Sequence, residues 1–144
     1  MSTQTTKILI GGALLLHGLG HGGAFGALIW IWRFPGTDTG SWRPARSWLF
    51  PSLAGPVAGT VASIFWVLSA IGFVAASMSF WGVLLPGDVW RQLALASSIV
   101  STLGIVLFFG TWPAFNMLAA LTVNIAVFVT QLWLNWPPQS MFGK

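Results

Sequence analysis

Two histidines, His17 and His21, stand four residues apart in the segment HGLGHGG, and the chain has no others. On an α-helix this spacing sets both imidazoles on one face, one turn apart. An imidazole there can ligate a metal, coordinate the central ion of a macrocycle, hydrogen-bond a quinone headgroup or bond to a neighbouring helix. A closed all-protein metal site is not expected, because the chain lacks Cys and Glu, and Asp38 and Asp88 both fall in polar connections. A haem or a chlorophyll-type pigment needs only one axial imidazole, and the adjacent glycines leave room for it. Two histidines one turn apart cannot clamp opposite faces of one haem. The expected cofactors are therefore a haem, a chlorophyll-type pigment or a quinone at His17 or His21, set against simple hydrogen bonding between helices.

A second polar set, Asn116, Asn124, Gln131 and Asn135, has spacings of eight, seven and four residues. In helical projection the four amides fall within roughly 100° of arc, so they predict one stripe. Asn124 lies near the middle of its apolar run, as the histidines do in theirs, which predicts a central cluster of His17, His21 and Asn124. The competing reading of the stripe is amide bonding between helices. Ser69, Ser97, Ser98, Ser101 and Thr102 read as hydroxyls bonded to their own helices. There is no nucleophile-elbow motif and no serine with an oriented base nearby, so enzymatic hydrolysis is not expected.

The elements that must carry these residues follow from composition. Among 144 residues 56% are hydrophobic and 6% charged, a balance that suits a bilayer rather than water. Apolar runs at about 8–32, 57–80, 92–109 and 115–136 predict an all-α, four-helix transmembrane bundle forming a single domain, with both termini on the same side. The first run is about twice as long as a signal h-region and reads as a retained helix. A long polar loop at 33–56 follows it, whereas the later connections are short. Orientation is undecided by charge: Lys7, Arg91 and Lys144 share one predicted side, and Arg33, Arg43 and Arg46 the other. The net charge of +4 is scattered, which argues against nucleic acid as a partner.

Small residues recur at every fourth position, Gly18, Gly22 and Gly26 in the first run and Gly55 and Gly59 at the start of the second. Such spacing suits close helix packing, within the chain or against a partner subunit. Most of the ten tryptophans fall near predicted segment ends and read as interfacial anchors. In the loop, Trp42, Arg43, Arg46 and Trp48 suit lipid headgroups, rings in the interface and guanidinium groups on phosphates.

The pattern LLLHGLGHGGAFG at 14–26 resembles the first helix of small bacterial four-helix membrane proteins that carry an HGxxH box followed by glycine. The resemblance implies four crossings and a bacterial plasma (inner) membrane, and it brings no activity with it. The residues themselves lead us to expect a small, non-enzymatic accessory or structural subunit that packs beside partner subunits or its own copies. Two alternatives stand beside it: a haem-, pigment- or quinone-binding subunit using His17 or His21, and an oligomeric carrier or channel for small solutes.

Overall fold

In the computed structural model, residues 2–138 are described. They form four α-helices and no strand: α1 (Thr3–Arg33), α2 (Gly55–Trp81), α3 (Trp90–Leu107) and α4 (Ala114–Phe128), the last continued by a π-helical turn, Val129–Trp133. Each is long and apolar enough to cross a membrane when α4 is taken with its π turn. The protein is thus an all-helical, four-span integral membrane protein. Lys144, one of the end charges weighed above, lies outside the described residues.

The helix ends follow local chemistry. Ser2 caps α1 by accepting the backbone N–H of Thr5 at 3.1 Å, so the helix begins in the polar turn ahead of its apolar run. Pro56 opens α2, where its missing N–H costs nothing, and Gly82 closes it in the left-handed conformation at φ 70°. Only α3 is barely long enough: 18 residues span about 27 Å at about 1.5 Å each. Beyond α4, Arg91 at the start of α3 donates to the backbone carbonyls of Asn135 and Pro137, which fastens the end of the described chain to the bundle.

Successive helices pack as antiparallel neighbours, α1 on α2, α2 on α3 and α3 on α4. The closest approaches occur at glycines. A side chain at Gly18 would meet the Ala70 carbonyl and Val74 of α2 at 3.0 Å, and one at Gly104 would meet Phe65 and Trp66 at 2.8 Å. Gly11 lies against Trp81 and Gly72 against Ser97 in the same manner. The Ser77 hydroxyl donates to the Gly11 carbonyl at 2.8 Å, tying α2 to α1.

The expected glycine stripe is corrected in part. Of Gly18, Gly22 and Gly26, only Gly18 is at the α1–α2 contact, while Gly22 and Gly26 are exposed with open space around them. Gly59 also has open space, and Gly55 serves as a bend at φ 62°. From Gly11 on, the buried face of α1 is Gly11, Leu14, Gly18, His21, Ala24 and Leu28, a seam of three- and four-residue steps. Strict steps of four rotate about 40° each around the helix, so the other two glycines leave that seam.

The core has two apolar halves. One gathers Ala24, Leu28, Ala58, Ala62, Trp66, Phe108, Trp112 and Met117. The other gathers Leu14, Phe73, Ala76, Phe80, Trp90, Ala94 and Val127. Along the helices, a buried polar layer falls between them: His21, Ser69, Ser97, Ser98, Ser101 and Asn124.

Candidate functional site

Side chains from three helices meet in that polar layer. His17 and His21 of α1 touch edge to face, with ring centroids 4.9 Å apart. Nε2 of His17 donates to Oδ1 of Asn124 at 3.0 Å. The amide nitrogen of Asn124 donates to Ser101 Oγ at 2.7 Å and to Thr102 Oγ1 at 3.1 Å. Ser101 Oγ in turn lies 2.9 Å from Nε2 of His21. The result is a chain, His17 to Asn124 to Ser101 to His21, spanning α1, α4 and α3.

With Asn124 Oδ1 accepting, His17 carries its proton on Nε2. Ser101 accepts from Asn124, and its contact with His21 has two directions: Ser101 gives its proton to Nε2 of a His21 protonated on Nδ1, or accepts from Nε2–H. Nδ1 of His21 is buried and has no hydrogen-bond partner among the described residues. The same holds for Nε1 of Trp66 and Nε1 of Trp112. His21 is 5.2 Å from Trp112 and 6.0 Å from Trp66, and the two indoles are 4.6 Å apart, centroid to centroid. Two indole N–H donors and one imidazole nitrogen are thus buried without a partner among the described residues, each at a cost of about 1–3 kcal/mol if left so.

Beside this cluster is a cleft of about 440 Å³ between α1 and α4. Those two helices do not pack along one another, so the His17–Asn124 bond bridges a gap rather than a seam. The walls are Ala13, Leu16, His17, Gly20 and His21 from α1 and Phe115, Asn116, Ala119, Ala120 and Val123 from α4, with Trp42 and Trp112 joining them. Small residues keep the gap open. Leu16 and Phe115 are 70% and 81% exposed, so apolar side chains at the lining reach the lipid-facing surface.

The long loop folds back onto one end of the bundle. The Arg43 amide donates to the Thr111 carbonyl and the Ser47 amide to the Leu53 carbonyl, both at 2.9 Å. Trp42, expected among headgroup contacts, is half-buried and packs 6.2 Å from Trp112. This indole covers core and lines the cleft. Arg43, Arg46 and Trp48 are exposed and border a shallow depression of about 420 Å³ with Pro51 and Phe109. The Trp48 indole donates to the Val106 carbonyl at the end of α3.

His17, His21 and Asn124 are therefore brought together. Of the rest of the amide stripe, Gln131 keeps to the buried face with Asn124, whereas Asn116 and Asn135 do not. Asn116 is exposed at the cleft, Gln131 donates to the Trp136 carbonyl at 2.8 Å, and Asn135 lies past the helix at φ 48°. Ser101 is a correction in the other direction. It bonds across helices to His21 and Asn124, whereas Ser97 does bond its own helix at the Leu93 carbonyl. Thr102, Trp66 and Trp112 also belong to the cluster, and the depth of Ser101 and Thr102 in their short span was the available signal.

Comparison with known protein families, with curated proteins and with solved structures finds no match to this chain.

Proposed function

We propose that this protein is a non-enzymatic membrane subunit that holds the head of a lipid-soluble molecule in the cleft between α1 and α4. The observation that carries the reading is His21, buried to 1% exposure on the cleft wall with Nδ1 unpartnered among the described residues. In hydrocarbon no bulk water is present to satisfy such a group, so the penalty for leaving it bare is larger than at a protein surface. Exposed apolar residues at the lining suit a guest that arrives sideways from the bilayer. The cleft's floor holds an imidazole pair and no oriented nucleophile or carboxylate, which suits holding rather than turnover.

The test is solvent extraction and mass spectrometry of the protein purified in mild detergent, with Ala119→Trp as the variant that fills the cleft. Ala119 is exposed on the cleft wall, so the indole has room without disturbing the core. A small lipid-soluble compound is expected with the native chain at near-stoichiometric amount and several-fold less with the variant. Equal recovery from both, or none from either, overturns the reading.

A second reading, packing against a partner subunit, is supported by the lipid-facing side of α1, where Gly22, Gly23 and Gly26 are exposed with open space about them. A smooth face of that kind lets another helix approach closely. Crosslinking through cysteines placed at Gly22 and Gly26 tests it: a specific adduct supports the contact, and no adduct in native membranes removes it.

A further inference from the structure

We infer that the guest in the cleft is a neutral alcohol whose hydroxyl bonds to Nδ1 of His17. The inference rests on the cleft being a binding site and adds the atom that meets the guest and the group it meets.

Of the imidazole pair, His17 is the part that a guest can touch. Its Nε2 is bonded to Asn124, while its Nδ1 has no bond among the described residues. Unlike Nδ1 of His21, that nitrogen is not enclosed by the bundle, and its residue lines the cleft. The ring is held on several sides. Phe73 and His21 meet it edge to face, with centroids 4.4 and 4.9 Å away, and the Asn124 bond holds Nε2. A partner for Nδ1 must therefore come to it.

The class of guest follows by elimination. With Asn124 Oδ1 accepting, the His17 proton is on Nε2 and Nδ1 offers a lone pair. A ketone or an ether has no proton to give it. A metallated macrocycle would also use that lone pair, but Nδ1 adjoins the ring carbon that carries Cβ, so the α1 backbone crowds a plane centred on it. A bare metal ion lacks further ligands, since no group of three His, Cys, Asp or Glu gathers among the described residues. An ionised head finds no counter-charge, because no Asp, Glu, Lys or Arg among the described residues lines the cleft. A hydroxyl is small, uncharged and gives a proton. It also accepts one, so it fits equally when the Asn124 amide is turned over and Nδ1 bears the proton.

The body of the guest stays in the bilayer. Leu16 and Phe115 are exposed and carry the lining out to the lipid-facing surface. A hydroxyl on an apolar chain reaches Nδ1 by that route without its chain leaving hydrocarbon.

The experiment compares farnesol with its deoxy hydrocarbon. Each is labelled, and retention on protein-bearing nanodiscs is read after subtracting that on empty nanodiscs of the same lipid. Farnesol is expected to bind about tenfold tighter than the hydrocarbon, and His17→Phe, which keeps a ring and loses its nitrogens, is expected to erase that preference. A second readout needs no variant, so the test survives should His17→Phe fail to fold. The chain has two histidines, and nitrogen-15 labelling of histidine reports their ring nitrogens alone. Farnesol is expected to shift the Nδ1 resonance of His17, and the hydrocarbon to leave it in place. Equal binding of the two probes overturns the alcohol inference and leaves a cleft that binds by shape. Binding of neither probe also overturns it, and the extraction experiment then decides whether the cleft holds anything. A preference that survives in His17→Phe, or farnesol bound with the His17 Nδ1 resonance unmoved, removes that nitrogen from the site and overturns the assignment.

Discussion

Nε2 of His17 and Oδ1 of Asn124 meet at 3.0 Å, and this bond joins the first and last helices of a bundle whose extensive packing runs between sequence neighbours. Asn124 is fully buried and serves three partners at once, His17, Ser101 and Thr102. Replacing it with Leu leaves a histidine without its acceptor and removes the link. Asn124→Leu is expected to destabilise the protein by about 1–3 kcal/mol, seen as a lowered midpoint in thermal unfolding in detergent. An unchanged midpoint would show that the chain contributes nothing to the fold.

Glycines that look alike in sequence should respond in opposite ways. Gly18→Ala drives a methyl into the Ala70 carbonyl and Val74 at 3.0 Å and is expected to cost about 1–3 kcal/mol. Gly22→Ala meets nothing within 4 Å and is expected to be neutral or to stabilise by up to about 1 kcal/mol through helix propensity. Unfolding midpoints of the two variants measured side by side check the contrast, and equal effects would contradict the α1–α2 packing described above.

The end of the described chain depends on one guanidinium. Arg91 donates to the Asn135 and Pro137 carbonyls, which follow the π turn. With Arg91→Gln, amide hydrogen exchange at Leu134 and Trp136 should rise about tenfold or more, while exchange in α2 stays as it was. No change at those two amides would mean that the segment is held by other contacts, among them the Gln131 bond to the Trp136 carbonyl.

Lipid charge is the variable for the loop. Arg43 and Arg46 are exposed beside the Trp48 ring, and each cation near an anionic surface contributes about 1 kcal/mol. The double variant Arg43→Gln, Arg46→Gln is expected to lose most of its preference for anionic over zwitterionic lipid in native mass spectrometry, with unchanged stability. Retention of the preference would assign it to other cations.

Much of this was legible in the residues, and what was not has physical causes. Length and apolarity announce four spans because the hydrocarbon core tolerates little else. His17, His21 and Asn124 could be matched by depth alone, since polar groups at mid-span must find one another. The role of Ser101 was hidden because a helical hydroxyl has a partner in its own backbone in every context, and only the arrival of Asn124 from another helix draws it away. Asn135 misled for another reason: projection assumes that the helix goes on, and it ends at Trp133. Gly22 and Gly26 shared a spacing with Gly18 but not a seam, because spacing does not say where the neighbouring helix lies.

The chain from His17 to His21 also has a second self-consistent direction. His21 can give its Nε2 proton to Ser101, Ser101 its own to an Asn124 amide that has turned over, and the Asn124 amide nitrogen can donate to His17. In that state Nδ1 of His21 bears a lone pair and His17 holds its proton on Nδ1. In either direction the tautomers of the two imidazoles are tied to one another through Ser101 and Asn124.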